Sequence, residues 1–306
     1  MPLQIEHRPS RLSEVFGNQA IKDSLESIFE RKSDYPHAYL FHGATGTGKT
    51  TLARIVAKLL KCESPEEYNV ANLRGIDSVR AINEDCQYMP LVGNTRVYIL
   101  DEIARQTKDG QSALLKLLED PPSHVYFILC TTDPEQLLAT VRGRCHSFQT
   151  KPLKSVEMMA LLKFILKKEN IEDYPDSILK EISVLSEGLP RNALVLLDSV
   201  IDMADEESAI NALSSIFTGD STTRELCQAI MNSTPWEQTK EILKNLLTET
   251  EPEKIRQAVL GYLAAVLLGS KKNDRVSNLI DLFQDSILYN QRSGIVNMTY
   301  LATKGK

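Results

Sequence analysis

Residues 38–60 read AYLFHGATGTGKTTLARIVAKLL, and this stretch decides the fold. It begins with an apolar run at 38–42 that predicts a β-strand. A glycine-rich loop follows, and residues 51–60 then repeat apolar side chains at helical spacing. A loop of the form G-x-x-x-x-G-K-T between a strand and a helix is the Walker A pattern. Its backbone N–H groups and the positive end of the following helix bind phosphates.

The loop therefore predicts an ATP site. Lys49 is predicted to reach the β- and γ-phosphates, and the Thr50 hydroxyl to ligate Mg²⁺. A chance match in a glycine-rich turn is the alternative, and the flanking strand and helix argue against it. The loop residues predicted to bind the nucleotide are Gly43, Thr45, Gly46, Thr47, Gly48, Lys49, Thr50 and Thr51.

An acidic pair, Asp101-Glu102, follows a second apolar run at 97–100. Asp101 is predicted to hold Mg²⁺ through water, and Glu102 to polarise the attacking water. Alone, such a pair at a strand end is a solvated turn. Here the pair lies about fifty residues after Lys49, and this spacing favours a catalytic role. The second acid, Glu102, indicates hydrolysis of ATP rather than binding only.

Four more polar residues are candidates for the ATP site because of their positions at the ends of predicted elements. Thr131 and Thr132 end a predicted strand at 125–130, where they can hydrogen-bond the γ-phosphate or the lytic water. Arg144 follows a helix-like turn. Two roles are open for it: an arginine finger that reaches a neighbouring subunit's nucleotide, and a surface ion pair. Arg191 begins a predicted helix and can bridge to the phosphates or cap that helix.

Composition limits the class of protein. The 306 residues carry a net charge of −6, which argues against a general DNA-coating protein but permits a local basic surface. The five cysteines lack C-x-x-C spacing and the five histidines do not cluster with them, so we expect reduced thiols and no metal held by side chains alone. A polar start and a longest apolar stretch of only residues 258–269 predict a soluble, cytoplasmic protein without a membrane partner.

The two halves of the chain differ in pattern. The first half alternates apolar runs with helical segments, which predicts a parallel α/β sheet, with a further strand at 68–71 and a helix at 111–118. From about residue 154 the pattern is helical, with helices at 156–169, at 176–186 and after Pro190, and a polar joint at 218–223. Two apolar stripes predict a helix-bundle core, whose surface an oligomer interface can share: Ile255, Val259, Leu263, Val266 and Leu267, then Val276, Leu279, Ile280, Phe283 and Ile287.

With these motifs the chain resembles the ATPase subunits of sliding-clamp loaders within the AAA+ class. The bacterial gamma/tau subunit and the small subunits of replication factor C are the most similar types. The resemblance covers roughly residues 5–200. The segments that carry it are HRP at 7–9 with VFGNQ at 15–19, HAYLF at 37–41, RGIDSVR at 74–80, LLKLLEDPP at 114–122, TTDP at 131–134, GRC at 143–145 and GLPR at 188–191.

The resemblance implies an α/β AAA+ P-loop domain with a parallel sheet at 1–152, a small helical lid at 153–218 and an all-α collar at 219–306. It implies that the element with Arg8, Pro9, Phe16 and Gly17 wraps the adenine of ATP. It assigns Thr131 and Thr132 to the sensor 1 element and Arg191 to the sensor 2 element. It also implies that Arg144 is a finger acting in trans and that Arg80 contacts template phosphates. The implied partners are four further subunits of a five-membered ring, a sliding clamp and primer–template DNA.

Several departures from the family pattern stand out. Gly143 replaces the usual Ser before the finger, and His7 stands where Tyr is usual, which weakens the expectation of adenine stacking. Only Cys62 aligns with the four-cysteine zinc module of gamma/tau, so no zinc is expected. The chain also ends at Lys306, from which we expect no long tail of the kind that tau uses.

Three other functions stay open. One is another AAA+ motor, such as a helicase loader or a branch-migration ATPase, which would not depend on a clamp. A second is a non-hydrolysing, nucleotide-gated scaffold subunit, against which the presence of Lys49, Thr50, Asp101 and Glu102 argues. A third is a protein-interaction module built on the helical half, which the intact Walker A loop disfavours.

Overall fold

A parallel β-sheet organises the first part of the chain. The computed structural model describes residues 1–31, 34–70, 76–203, 205–218, 221–269, 273–287 and 291–304, and these group into two units, Met1–Ser199 and Val200–Lys306. The division into three domains stays a prediction, and Gly219 and Asp220 of the predicted joint lie outside the described residues.

Among the described residues the sheet has five strands, all parallel, in the order β2-β3-β4-β1-β5. They are β1 (Ala38–His42), β2 (Glu66–Asn69), β3 (Arg96–Asp101), β4 (Val125–Thr131) and β5 (His146–Gln149). The first four confirm the predicted strands, with β2 two residues earlier than expected. The sequence did not predict β5, because only Phe148 of its four residues is buried and so no apolar pattern marks it.

The described residues of the first unit also form helices. They are α1 (Leu3–Glu6), α2 (Gln19–Glu30), α3 (Lys49–Leu59), α4 (Ile76–Asp85), α5 (Lys108–Glu119), α6 (Ala139–Arg142), α7 (Ser155–Lys168), α8 (Asp176–Leu185) and α9 (Pro190–Val200). Short 3₁₀ turns lie at Leu12–Glu14, Ile103–Arg105 and Pro134–Gln136. The helices predicted at 51–60, 111–118, 156–169 and 176–186 are present, with ends that differ by at most three residues.

The two faces of the sheet bury different helices. On one face α3 packs Leu52, Ile55 and Val56 against Tyr39 and Phe41 of β1. On the other, α5 packs Leu114 and Leu117 against a second core cluster that includes Tyr98 and Phe127. The central strands are buried on both faces, which explains why they read as continuous apolar runs. Because all strands are parallel, β1, β3 and β4 direct their carboxyl ends to one edge of the sheet.

The second unit is helical in its described residues. Its helices are α10 (Glu206–Thr218), α11 (Ser221–Met231), α12 (Trp236–Glu249), α13 (Pro252–Gly269), α14 (Asp274–Phe283) and α15 (Gln291–Thr303). Both predicted stripes contribute to its core, since Val259 and Leu263 of α13 and Val276 and Phe283 of α14 are fully buried. The bundle prediction for this part of the chain is therefore confirmed.

No described helix is long and apolar enough to cross a membrane. All five cysteines are free thiols, and four of them are buried, in agreement with the sequence. In the described ranges no three His, Cys, Asp or Glu side chains are placed to hold a metal ion. The absence of zinc and the cytoplasmic location both stay predictions.

Candidate active site

The Walker A loop leaves the carboxyl end of β1 and leads into α3. The Gly43 N–H donates to the Thr131 carbonyl at 3.2 Å, which ties the loop to β4. Gly43 has φ 145°, and a Cβ there would lie 2.3 Å from the Thr150 carbonyl oxygen. Gly48 has φ 98°, with open space where its Cβ would project. Both positions therefore require glycine: Gly43 for close packing, and Gly48 to turn the backbone into the cleft.

Lys49 is the first residue of α3 and is only 7% exposed. Its Nζ donates to the carbonyl oxygens of Gly43 and Ala44, each at 2.9 Å. Burial lowers the pKa of Lys49, while the nearby carboxylates of Asp101 and Glu102 act in the opposite direction. The lysine is thus held at the mouth of the loop, where a phosphate chain would supply a stronger acceptor than two carbonyls.

Thr50 and Asp101 meet across the cleft. The Thr50 Oγ1 donates to Asp101 Oδ2 at 2.9 Å, and the other carboxylate oxygen accepts the Glu102 N–H at 3.0 Å. Hydroxyl and carboxylate oxygens are the ligands that Mg²⁺ takes in phosphate-binding sites, so this pair fits that ion. Glu102 itself adopts φ 55°, a left-handed conformation that is rare for a residue with a side chain and is often found at active sites.

Three arginines add positive charge to this end of the cleft. Burial lowers the pKa of Arg8, and the charges of Arg54 and Arg191 lower it further. Arg191 lies against the loop, because a Cβ on Gly46 would come within 3.5 Å of its Cβ. Arg54 forms a bidentate ion pair with Glu67 of β2, at 2.5 and 2.6 Å. The cleft is lined by Gln4, His7, Arg8, Pro9, Thr45, Gly46, Gly48, Lys49, Thr50, Thr51, Asp101, Glu102, Pro190, Arg191 and Leu194.

An apolar pocket adjoins this cleft and shares six lining residues with it: His7, Pro9, Gly48, Thr51, Pro190 and Leu194. Phe16 lines the pocket and packs on Phe164 of α7, with ring centroids 5.4 Å apart. Its mostly apolar lining suits the faces of a purine ring, and binding of adenine by this element stays a prediction. The pocket is lined by His7, Pro9, Glu14, Val15, Phe16, Thr47, Gly48, Thr51, Leu52, Leu153, Leu161, Pro190 and Leu194.

Gly17 serves packing in this element. A Cβ on Gly17 would lie 2.4 Å from the Leu153 side chain, and its φ is 64°. Because Gly17 has no side chain, the segment before α2 can approach residue 153, at the start of the helical region. The structure supports a role for Gly17 in positioning its neighbour Phe16 at the pocket.

The two threonines at the end of β4 have different environments. Thr131 is fully buried, and its Oγ1 accepts the Asp133 N–H at 3.1 Å. Thr132 is exposed and lines an open cleft together with Glu102 and Arg105. Only Thr132 therefore presents its side chain on the same side as the candidate base.

Both predicted arginines outside the nucleotide-binding set, Arg144 and Arg80, lie away from the cleft lining. Arg144 follows α6, where it pairs with Glu119 of α5 and donates to the Thr140 carbonyl at 2.9 Å. The structure thus shows the ion pair that was the alternative for Arg144, and Arg144 is not among the residues that line the cleft. Arg80 is exposed on α4, and residues 74–75 of its motif lie outside the described residues.

Several site residues escaped the sequence reasoning. Gln4, Pro190 and Leu194 line the cleft, and Arg54 and Glu67 pair beside it. The Walker A pattern does not include them, and they come from four separate segments. Arg54 alone carried a usable signal, since it lies four residues after Thr50 and so on the same face of α3.

The chain is similar to subunits of DNA polymerase III. A family model described as DNA polymerase III, delta subunit, matches residues 69–154. The DNA polymerase III subunit tau/gamma of Haemophilus influenzae is 33% identical over 232 residues, covering 68% of this chain and 33% of that protein. The DNA polymerase III subunit gamma of Buchnera aphidicola is 34% identical over 219 residues, covering 64% of this chain and 59% of that protein. The chain thus spans less than two thirds of the length of these curated relatives.

Among solved structures, RuvB of Thermotoga maritima, a Holliday junction branch migration motor, has a TM-score of 0.58 at 24% identity. The match covers 73% of this chain and 79% of that chain. At this identity the likeness concerns the fold alone. It agrees with the predicted α/β P-loop domain followed by a helical region.

Proposed function

Since the chain belongs to the clamp-loader family of AAA+ proteins, we propose that it is an ATPase subunit of a DNA sliding-clamp loader. One observation carries the ATPase part of the proposal: the 2.9 Å hydrogen bond from Thr50 to Asp101, with Lys49 and Glu102 adjacent. This contact brings together residues that are about fifty positions apart, and the two would bind Mg²⁺ as a pair. A scaffold that had lost catalysis would not need the acidic half of this pair.

Lys49 would bind the β- and γ-phosphates, and the loop N–H groups would surround them. Thr50 and Asp101 would hold Mg²⁺, which supplies charge neutralisation on the phosphate oxygens. Glu102 would accept a proton from the attacking water, and Thr132 would orient that water from the adjacent cleft. Arg191 lines the same cleft and would stabilise the charge of the γ-phosphate within the chain.

Arg144 is proposed to complete the neighbouring subunit's site. Within its own chain it pairs with Glu119 and is about one-third exposed. Exposed ion pairs of this kind contribute only up to about 1 kcal/mol, so an incoming phosphate competes readily for the guanidinium. An arginine supplied in trans accelerates phosphoryl transfer by about 10³–10⁵ in well-studied cases. Hydrolysis would therefore report on assembly of the ring.

The partners follow from the family. The curated relatives are named as DNA polymerase III subunits. We propose that this chain joins other loader subunits in a five-membered ring, binds a sliding clamp, and encloses primer–template DNA. ATP binding would favour the assembled state that grips the open clamp, and hydrolysis would release it on DNA. Arg80, exposed on α4, would contact template phosphates without reading sequence.

The test measures steady-state ATP hydrolysis with and without primed DNA and the clamp of the same replication system. We expect hydrolysis to rise when both are present. Glu102→Gln should keep ATP binding and lower kcat by about 10²–10⁴, as for loss of a general base. Lys49→Ala should lose ATP binding.

Two outcomes would separate the parts of the proposal. Hydrolysis that neither DNA nor clamp stimulates would reject clamp loading and favour another AAA+ motor. Undiminished ATP binding by Lys49→Ala would reject the phosphate site itself.

A further inference from the structure

Thr150 directly follows β5, and its side chain packs against the Walker A loop. Thr150 and Thr47 are only 3% and 5% exposed, and their Oγ1 atoms lie 2.7 Å apart. The Thr47 hydroxyl also donates to the Ala44 carbonyl at 2.8 Å, which closes the loop on itself. We propose that Thr150 is a positioning residue for ATP binding, because it holds the Thr47 hydroxyl on the loop carbonyl that Lys49 leaves when the phosphates bind. This inference rests on the proposed ATP site.

In the ligand-free chain the Ala44 carbonyl has two side-chain donors. The Lys49 Nζ donates to it and to the Gly43 carbonyl, each at 2.9 Å. The Thr47 hydroxyl is the second donor to Ala44. Loss of the Thr47 donor would leave this carbonyl paired, because Lys49 still reaches it. The hydroxyl therefore contributes little to the loop as long as the lysine lies on it.

Binding of ATP would remove the lysine from this position. Phosphate oxygens are charged acceptors and form stronger hydrogen bonds with an ammonium group than carbonyls do, so Lys49 would move to them. Thr47 would then be the side-chain donor that remains at Ala44 among the described residues. The turn between residues 44 and 47 directs loop N–H groups toward the phosphates, and it would depend on this bond. Because the hydroxyl contributes more in the bound state than in the free state, its loss should weaken ATP binding.

The hydrogens of the two hydroxyls show why Thr150 is needed. A hydroxyl donates one hydrogen bond and can accept others. When Thr47 donates to Ala44, the Thr47 oxygen needs a donor, and the Thr150 hydroxyl can supply one at 2.7 Å. The His42 carbonyl does not depend on that hydroxyl, because the Thr150 N–H donates to it at 2.8 Å, closer than the hydroxyl at 3.1 Å. The series of donors from Thr150 to Thr47 to Ala44 therefore orients the Thr47 hydroxyl toward the loop.

The position of Thr150 is fixed by its own neighbours. The preceding residue, Gln149, pairs with His42 in the parallel ladder of β5 and β1. The Gly43 backbone lies so close that a Cβ there would be 2.5 Å from the Thr150 Oγ1. Thr150 thus presents its hydroxyl from the end of a paired strand, as is required of a group that positions another.

The test titrates ATP with Mg²⁺ calorimetrically into the full chain carrying Glu102→Gln, which suppresses hydrolysis. Thr150→Val keeps the shape of the side chain and removes the hydroxyl. We expect it to bind ATP about fivefold more weakly, as for one neutral hydrogen bond lost in the bound state. Thr150→Ser keeps the hydroxyl and should bind ATP like the parent. Thr150→Ala compared with Thr150→Ser isolates the same hydroxyl, should the valine variant not fold.

Thr239→Val is the matched control. Thr239 is fully buried in α12 of the second unit, and its hydroxyl donates to the Thr234 carbonyl at 3.2 Å. It does not line the nucleotide cleft. Its substitution removes a buried hydroxyl of the same kind, so it should lower the unfolding midpoint and leave ATP affinity unchanged.

A second comparison tests the route through Thr47. Thr47→Val removes the donor to Ala44 and should weaken ATP binding at least as much as Thr150→Val does. Because Thr150 acts through Thr47, the double variant should bind no more weakly than Thr47→Val alone. Losses that multiply in the double variant would show that Thr150 acts by another route, and would overturn the inference.

The remaining outcomes separate this inference from the ATP site. Unchanged ATP affinity in Thr150→Val would overturn it. So would a loss of the same size in Thr150→Ser, which would assign the effect to packing of the methyl group, or in Thr239→Val, which would assign it to general destabilisation. In each of these cases the ATP site would stand. Failure of the parent to bind ATP would overturn the ATP site and the inference together.

Discussion

Replacing Thr50 by valine tests the contact on which the metal site depends. The two side chains have the same shape, so Thr50→Val removes the hydroxyl and its 2.9 Å bond to Asp101 without opening a cavity. A hydrogen bond to a charged acceptor contributes about 1.5–3 kcal/mol, and the half-buried position of Thr50 places it near the lower end. For a unit of this size, about 1.5 kcal/mol lowers the unfolding midpoint by roughly 3–6 °C.

The effect on binding should be specific to the metal. Valine cannot ligate Mg²⁺, so the gain in ATP affinity on adding Mg²⁺ should fall at least about tenfold. Affinity for metal-free ATP should change little, because Lys49 and the loop N–H groups are intact. Calorimetric titrations of ATP in Mg²⁺ and in EDTA measure both quantities on the same preparation.

Thr248→Val is the matched control. Thr248 is exposed on α12, and its hydroxyl donates to the Asn245 carbonyl at 2.6 Å within the same helix. This surface change should alter stability by no more than about 0.5 kcal/mol and leave nucleotide binding as it is. The reasoning would be refuted if Thr50→Val kept the full Mg²⁺ dependence of the unmodified chain. An unchanged midpoint would in turn show that the bond to Asp101 does not stabilise the loop.

Two further experiments test the Walker A loop and the proposed arginine finger. Gly43→Ala should destabilise the chain by about 3 kcal/mol or more, measured by denaturant unfolding, because its Cβ would lie 2.3 Å from the Thr150 carbonyl oxygen. Gly261→Ala, which meets nothing within 4 Å on a helix, should be stabilising by up to about 1 kcal/mol, and equal effects at the two sites would contradict the packing argument. Mixing Arg144→Ala subunits with Glu102→Gln subunits should restore part of the hydrolysis that each has lost, measured as phosphate release. Rings that assemble but show no such recovery would assign Arg144 to its own chain.

Some elements of the structure could be predicted from the sequence, and others could not. The Walker A loop was predictable because its requirements are local: glycines for positive φ, a strand before and a helix after. The acidic pair was predictable because it ends a buried strand, and parallel strands end at one edge of the sheet. Strand β5 was not, because an edge strand of four residues with one buried side chain has no periodic signal.

Thr131, the last residue of β4, and Thr132, which follows it, show a sharper limit. Both were candidates, and successive side chains in a strand point to opposite sides. The sequence therefore indicates that one of them faces the site without indicating which one. The structure turns the Thr131 hydroxyl to the Asp133 backbone and leaves Thr132 beside Glu102.

The sequence by itself determined the phosphate loop, its acidic partner, the change from α/β to helical pattern, and the family, because each is recognised from short motifs or from local periodic patterns. Only the tertiary structure decided which distant residues share the cleft. It brought Gln4, Pro190 and Leu194 to the lining of the cleft and paired Arg54 with Glu67 beside it. The physical reason is that these contacts join segments whose separation along the chain carries no periodic pattern, so only packing of the helices on the sheet brings them together.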